Sequence, residues 1–160
     1  MIYKFIALLV GFLGMELVAH LMHKYVMHGF LWSLHESHHQ KGRGFWEKND
    51  IYFLIFATPG IALIIYGTTH QFSWPFFLGL GISLYGFTYL LIHDIIIHQR
   101  FKMLSKIDNG YIKALKRAHK AHHANVHKDA AVSYGMLWID KKYYKPTDLT
   151  HQFKEHNLVF

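Results

Sequence analysis

Ten histidines of the chain fall into four clusters whose spacing is typical of metal ligands. Each half of the sequence contains an H-x4-H pair followed by an H-x2-H-H triplet. The members are His23, His28, His35, His38 and His39 in the first half, and His93, His98, His119, His122 and His123 in the second. A lone histidine is more often a packed core residue than a ligand, but a duplicated pattern argues against packing alone. Imidazole binds zinc, copper, iron and nickel, and ten rings exceed the needs of one ion. The pattern therefore predicts two metal ions.

The two kinds of cluster place their rings differently on a helix. Positions i, i+3 and i+4 share one face of an α-helix, so each triplet can point its rings at one site. Positions i and i+5 lie about 140° apart around the same helix. An H-x4-H pair can therefore straddle a site, serve two metals or lie where the helix is distorted, and the sequence leaves these alternatives open.

The groups around the clusters limit the chemistry. The chain has no cysteine, which excludes disulfides, thiolate zinc sites, iron–sulfur clusters and thiolate haem. Neutral imidazole ligands need hydrogen-bond acceptors that orient their rings. The nearby carboxylates are Glu36, Glu47, Asp50, Asp94 and Asp129, and each is alternatively a surface charge or helix cap. For Glu47 and Asp50 the two interpretations are equally good.

Five histidines stand outside the pattern. We interpret His70, His151 and His156 as surface residues, whereas His20 and His127 remain intermediate between surface residues and members of the site.

Three apolar segments must position the clusters. Hydrophobic residues make up 52% of the 160 residues and charged residues only 17%, below the roughly one quarter of ordinary soluble domains. Segments at about 2–22, 51–69 and 75–97 are long enough, or nearly so, to cross a membrane as helices, which takes about 20 residues. Each H-x4-H pair begins as an apolar segment ends. We expect an all-α integral membrane fold with three or four transmembrane helices and a histidine-rich cytosolic cap.

The basic residues set the expected orientation in the membrane. Lys4 alone precedes Lys24, and the other sixteen Lys and Arg residues lie in two blocks, at 24–48 and 100–154. The positive-inside rule places both blocks in the cytosol, so a cap of 23–50 and 98–140 and a polar tail at 141–160 complete one membrane domain. The net charge of +7 then lies at the membrane surface, which argues against nucleic acid as a partner.

An acidic residue interrupts the first apolar segment, which argues against the alternative of a cleaved signal peptide. Glu16, His20 and His23 lie at i, i+4 and i+7, on one face of a helix. A carboxyl group inside a membrane helix costs about 2.5–3.5 kcal/mol. We therefore expect Glu16 to accept a hydrogen bond from His20 and to extend the polar stripe towards the metals, the alternative being a protonated side chain.

Residues 111–126 are predicted to form an amphipathic helix at the membrane surface. One face contains Ile112, Leu115, Val126 and the second triplet, and an adjacent face contains Lys113, Lys116, Arg117 and Lys120. The histidines would then turn inward, and the basic side chains would meet lipid phosphates or a protein partner.

The stretches around the histidines resemble a known enzyme family. They are HKYVMHG, HESHH, FWEKNDIY, IHDIIIHQRF, YIKALKRAHKAHH and KDAAVSYGML. From about Gly14 to Leu137 the chain resembles the bacterial-type β-carotene hydroxylases of the fatty acid hydroxylase/sterol desaturase superfamily. The histidine pattern alone specifies the superfamily, whereas HKYVMHG and IHDIIIHQRF are typical of the carotenoid branch.

The resemblance implies an integral non-haem di-iron monooxygenase of the bacterial inner membrane, with its metal site on the cytosolic side. It implies hydroxylation of β-carotene at C3 and C3′ to β-cryptoxanthin and zeaxanthin, with O2 as oxidant and electrons from NAD(P)H through ferredoxin. The family's iron ligands correspond here to all ten clustered histidines. From their positions in the sequence, we expect the carboxylates Glu16, Glu36, Asp94 and Asp129 to lie behind these rings.

The implied substrate and electron donor need surfaces of their own. Candidates for a channel that leads the carotenoid ring to the metals are, by position, Phe30, Trp32, Phe45, Trp46, Tyr85 and Tyr89. The basic face of helix 111–126 is the candidate docking surface for an acidic ferredoxin, with anionic lipid as the alternative.

Other functions remain open from the sequence. A related hydroxylase, ketolase or desaturase could act on another apolar lipid. A metal transporter or storage protein would place its site near the bilayer midplane, and a haem-b carrier needs histidines within facing membrane helices. Clusters at the ends of the segments favour neither.

Overall fold

The computed structural model describes residues 1–40, 45–104, 106–129 and 131–145 and is helical without strands over that part of the chain. The α-helices are α1 (Ile2–Met22), α2 (Trp32–His39), α3 (Ile51–Thr69), α4 (Trp74–Tyr89) and α5 (Gly110–His123). Two π-helical segments, π1 (His23–Phe30) and π2 (Leu90–Ile97), continue α1 and α4, and short 3-10 turns cover Lys48–Asp50 and Lys141–Tyr144. The predicted all-α fold is confirmed.

Three helical stretches of the described chain are long and apolar enough to cross a membrane: Ile2–Phe30, Lys48–Thr69 and Trp74–Ile97. They coincide with the three predicted segments, and their outward faces expose leucine, isoleucine and phenylalanine, as expected for contact with lipid. The first span is longer than predicted because π1 continues α1 from His23 as far as Phe30, with a kink at Gly29.

Helix α4 packs against both α1 and α3, and glycines allow the close approach. A Cβ atom at Gly81 would collide with the carbonyl of Leu8, and one at Gly79 would lie 2.6 Å from the carbonyl oxygen of Gly60. Both positions agree with the close packing that glycine predicts in membrane helices. Gly86, further along α4, has open space beside it instead.

Helix α5 closes the histidine-rich end of the bundle. It starts at Gly110, where the side chain of Asn109 accepts a hydrogen bond from the amide of Ile112 at 2.9 Å. Ala114, Leu115 and Ala118 on its buried face pack against the end of π2 and the Lys141–Tyr144 turn. The helix ends at His123 rather than 126, and the carbonyl of Asn125, freed from the helix, accepts a hydrogen bond from His39.

Candidate metal centre

The first H-x4-H pair lies inside π1, and the second runs from His93 inside π2 to His98, the residue directly after it. This winding explains how the two rings of each pair face one site. The amide of His98 donates to the carbonyl of His93 at 2.8 Å, and the amide of Leu31 donates to that of Val26 at 3.0 Å. Hydrogen bonds from i+5 to i define the π-helix, whose turn is wider than that of the α-helix. Residues i and i+5 therefore stand above one another, so His23 and His28 join one site, as do His93 and His98.

Nine of the ten clustered histidines converge in two groups whose nitrogen atoms lie within 4.8 Å of one another. The first group consists of His23, His28, His35, His39 and His122, and the second of His38, His93, His98 and His119. Each triplet thus lends its middle histidine to the other half: His38 joins the second group and His122 joins the first.

The spacing inside the groups fits a common metal ion. In the first group, Nε2 of His28 lies 3.1 Å from that of His39 and 3.2 Å from that of His122. In the second, Nε2 of His38 lies 3.1 Å from that of His93. Two nitrogens that each bind a metal at about 2.1 Å and at a right angle are about 3.0 Å apart. The rings therefore have the separation of adjacent ligands.

The other ring nitrogen of every member of the first group has an oxygen partner. Nδ1 donates to carbonyl oxygens in four cases and to the Asn49 side chain in the fifth, at 2.7–3.0 Å. The donor and acceptor pairs are His23 with Tyr134, His28 with Lys128, His35 with Asn49, His39 with Asn125, and His122 with Val132. A neutral ring that donates through Nδ1 keeps its lone pair on Nε2. Five lone pairs thus face one another, an arrangement that a cation between them would stabilise.

A proton is a poor candidate for that cation. Burial lowers the pKa of His35 to about 3 and that of His39 to about 4. Burial also lowers the pKa of His122 and His119 well below the usual value. Because the rings stay neutral at physiological pH, they have the form that binds metals.

Carboxylates replace carbonyls behind the second group. Nδ1 of His38 donates to Glu47 at 2.9 Å, and Nδ1 of His93 lies 3.4 Å from the Asp94 carboxylate. The guanidinium of Arg100 lies 3.6 Å from Glu47, 3.5 Å from Asp94 and 2.8 Å from Asp50. Arg100 therefore balances the carboxylates and links the two that orient histidines. The prediction for Asp94 agrees with this geometry, and Glu47 is an acceptor rather than a surface charge.

His123 lies among the second group although its Nε2 makes no close contact. Its ring centre is 4.4 Å from that of His119 and 4.7 Å from that of His38. Its Nε2 is buried and lacks a hydrogen-bond partner among the described residues. Burial lowers its pKa well below the usual value. An unsatisfied buried nitrogen beside four other rings is a further ligand candidate.

A largely apolar cavity of about 340 Å³ leads from the membrane spans to the histidines. Its walls include Met15 of α1, Phe56 and Ala57 of α3, and Ile82 and Gly86 of α4, and it ends at His23, His93 and His119. Phe53, Ile61 and Phe87 line the cavity and also expose their side chains on the outer surface of α3 and α4. The cavity therefore connects the lipid-facing side of the bundle with the metal centre.

The candidate channel residues divide into two sets. Tyr85 and Tyr89 line this cavity, and the ring of Tyr89 stacks on His93. The other four lie elsewhere, which corrects the expectation for Phe30, Trp32, Phe45 and Trp46. Phe30 and Trp46 are 76% and 79% exposed, Phe45 contacts Phe101, and Trp32 packs against the rings of His28 and His39.

Glu16 has other partners than the expected one. Its Oε2 accepts a hydrogen bond from the Tyr85 hydroxyl at 2.7 Å. Its Oε1 accepts from the amides of Met136, Leu137 and Trp138, each at 2.9 Å. The predicted hydrogen bond from His20 is therefore wrong, because the carboxylate turns to the backbone at 136–138. The His20 ring contacts the edge of Tyr134 instead.

Two further carboxylates do not contact the rings. Glu36 accepts a hydrogen bond from the exposed Gln40 side chain, and Asp129 is exposed, its backbone carbonyl accepting from Asn125. Both corrections reflect the orientation of their helix or turn, which points them to solvent. His127 and His70 are exposed, as a surface role requires, whereas His151 and His156 lie outside the described residues.

Sequence reasoning missed the oxygen atoms that orient the first group. Four of them are backbone carbonyls, which no side-chain pattern reveals, and the fifth belongs to Asn49. Arg100 was also missed, although its place two residues after His98 in IHDIIIHQRF offered a signal.

The chain is similar to known proteins over most of its length. A family model described as fatty acid hydroxylase matches residues 8–142. A β-carotene hydroxylase of Pantoea ananas is 41% identical over 86% of this chain and 78% of that protein. One of Pseudescherichia vulneris is 36% identical over 98% of this chain and 86% of that protein. The chloroplastic β-carotene hydroxylase 2 of Capsicum annuum is 37% identical over 90% of this chain and 47% of its own length. No solved structure matches the chain.

Proposed function

Because the chain belongs to the fatty acid hydroxylase family, we propose that it is a membrane-bound β-carotene 3-hydroxylase with two iron ions. The observation that carries the proposal is the junction of an apolar, lipid-side cavity with two groups of neutral imidazoles. The β-carotene hydroxylases that it resembles supply the substrate. The products are β-cryptoxanthin and then zeaxanthin.

Each histidine group would hold one iron ion, and His123 would complete the second group. Iron bound there would activate O2 so that one oxygen atom enters a ring C–H bond, while the other leaves as water after taking up two electrons and two protons. The chain's own contribution is to orient the rings, seven of them through the described Nδ1 acceptors, and to keep bulk water out. His35 and His122 are almost completely buried, which excludes water, and the Nδ1 atom of each donates to one acceptor, which fixes the orientation of the ring.

The cavity positions one end of the substrate. A carotenoid is an apolar rod dissolved in the bilayer, so its ring can enter from the lipid between α3 and α4, past Phe53 and Phe87. Met15, Phe56 and Ile82 would surround the ring, and Tyr89, stacked on His93, would limit its approach to the metals. The rest of the rod stays in the lipid.

The electron donor is a ferredoxin that docks at the basic face of α5. Lys116 and Lys120 lie on that face, and the same helix supplies His122 to the first group and His119 to the second. Lys113 and Arg117 contribute charge while they also pair with Asp108 and with the carbonyls of Tyr143 and Tyr144. Electrostatic complementarity of this kind speeds association with an acidic partner. By the positive-inside rule, the face lies on the cytosolic side of the inner membrane.

Carotenoid analysis in a bacterium that accumulates β-carotene tests the proposal. Cells that express the chain should contain monohydroxylated and dihydroxylated carotenoids, identified by chromatography with mass detection. His122→Ala removes a ligand of the first group and should abolish both products at an equal protein level. His127→Ala is the matched control, because His127 is exposed and lies outside both groups. Unchanged β-carotene beside well-expressed, iron-loaded wild-type protein would contradict the proposed substrate.

A further inference from the structure

We propose that Glu16 is a positioning residue for one of the two metals. It holds the segment 131–138, here called the capping segment, so that two carbonyls of that segment orient His23 and His122. The inference rests on the proposed metal centre and adds to it a residue that touches neither metal nor substrate.

The carboxylate of Glu16 is the anchor of the capping segment. Three consecutive amides of the segment, those of Met136, Leu137 and Trp138, all donate to its Oε1 at 2.9 Å. The Tyr85 hydroxyl fixes Oε2 at 2.7 Å from the opposite side. Both carboxylate oxygens therefore accept, Oε1 from three amides and Oε2 from a hydroxyl. Four hydrogen bonds to one side chain hold the segment firmly.

The backbone around Gly135 fits this anchor closely. A Cβ atom at Gly135 would lie 3.0 Å from Oε1 of Glu16 and 2.8 Å from the carbonyl oxygen of Trp138. A side chain at this position would therefore push the segment away from the carboxylate. Ser133 adopts a φ of 58°, in the left-handed region that ordinary residues rarely occupy. The surrounding contacts must hold it there.

The same segment carries the acceptors of two ligand rings. Nδ1 of His23 donates to the carbonyl of Tyr134 at 3.0 Å, and Nδ1 of His122 donates to that of Val132 at 2.8 Å. Both rings belong to the first group. Met136, the first residue held by Glu16, follows Tyr134 by two residues and Val132 by four. So short a stretch of backbone allows the two carbonyls little movement relative to Glu16.

The acceptors that the structure describes for the second group lie outside the capping segment. His38 and His93 are oriented by Glu47 and Asp94, which lie in other segments. Release of the capping segment should therefore weaken the first metal and leave the second. This selectivity distinguishes a positioning role from a general contribution to folding, which would affect both metals.

The test compares the iron content and the amide exchange of purified variants in detergent. Glu16→Leu removes all four acceptor contacts, and Glu16→Gln keeps the side-chain shape but loses the charge. Leu17→Ala is the matched control, since Leu17 is the next residue of α1 and faces outward with 61% exposure. Iron per chain is measured by elemental analysis, and hydrogen exchange of 131–138 is followed by mass spectrometry.

We expect Glu16→Leu to fall from two iron ions per chain towards one and to exchange its 136–138 amides faster. Glu16→Gln should show the same changes to a smaller extent, and Leu17→Ala should match the wild type. Retention of both ions with unchanged exchange overturns the proposal, and so does equal loss of both ions from a folded variant. Wild-type protein that binds two iron ions without forming hydroxylated carotenoid overturns the proposed substrate alone.

Discussion

At the scale of single residues, the two histidine groups differ in what stands behind them. Neutral oxygens accept from all five Nδ1 atoms of the first group, whereas Glu47 and Asp94 accept in the second. A carboxylate acceptor makes an imidazole a more basic ligand than a carbonyl does. We therefore expect the second group to bind its metal more tightly and to favour the more oxidised ion.

Replacement of Glu47 should reveal this contribution. Glu47→Gln keeps the size of the side chain but removes the charge behind His38, so iron affinity of the second group should fall by about 10–100-fold. Iron retained during dialysis against a graded series of chelator concentrations measures the change.

Glu36→Gln is the control for that experiment. Glu36 is another glutamate close to the first histidine triplet, but its carboxylate accepts a hydrogen bond from the Gln40 side chain and not from a histidine ring. Equal iron loss from both variants would show that the contact between Glu47 and His38 does not tune the metal.

At the scale of helices, the sequence predicts which residues are helical, but it does not predict whether a segment winds as an α-helix or a π-helix. The three long apolar helices and α5 follow from length, hydropathy and amphipathic spacing, and the structure confirms that these segments are helical. The winding of π1 and π2 does not follow, since a periodicity of 3.6 residues separates the rings of each H-x4-H pair. His23 and His28 belong to one group only because of the tertiary arrangement of the rings. Local helix propensity therefore does not predict the π-helical winding that brings them together.

The cavity is also a product of tertiary packing. It exists because Ala57 and Gly86 leave space where larger residues would close the bundle, and sequence alone does not distinguish this glycine from the packed Gly81. Four of the six aromatic candidates for the channel were wrong because their position near the histidines does not determine which way they face.

A larger side chain at Gly86 should block the cavity. Gly86→Leu places a branched chain into open space on the cavity wall, so hydroxylated carotenoid should fall by about 100-fold through displacement of the ring from the metals. Iron content should stay at the wild-type value. The measurement is product formation per iron-loaded chain.

Gly14→Leu provides the matched control for the blocked cavity. Gly14 also has open space beside it, but it is not among the residues that line the cavity. Loss of product from both variants, or loss of iron from Gly86→Leu, would argue against a cavity that holds the ring.

At the scale of the whole molecule, the metal centre joins parts of the chain that hydrophobic packing alone holds weakly. Helix α4 contacts both α1 and α3, whereas α2 and α5 join the bundle mainly at π1 and π2, through histidines and their acceptors. A ligand that binds only the folded state adds to stability, by about 4 kcal/mol at 1,000 times its dissociation constant. Metal should therefore fasten the cap to the membrane helices.

Metal removal should lower thermal stability in a reversible way. Chelator treatment of the detergent-solubilised protein should decrease the unfolding midpoint, with the helical signal of α2 and α5 lost before that of the membrane spans. Addition of ferrous iron should restore the midpoint, and magnesium should not, because imidazole is a poor ligand for that ion. An unfolding midpoint that changes neither with chelator nor with ferrous iron would contradict the view that bound metal stabilises the contact of α2 and α5 with the membrane helices.

The exchange of His38 and His122 between the two halves has a consequence for assembly. Neither half of the chain contains a complete group, because His38 of the first half lies in the second group and His122 of the second half lies in the first. Two fragments divided at the turn after α3 would be mutually dependent: each alone would be an incomplete chelator, and only their complementation would restore both sites. Both sites can therefore be fully occupied only after the two halves of the chain have packed together, so metal occupancy reports correct folding.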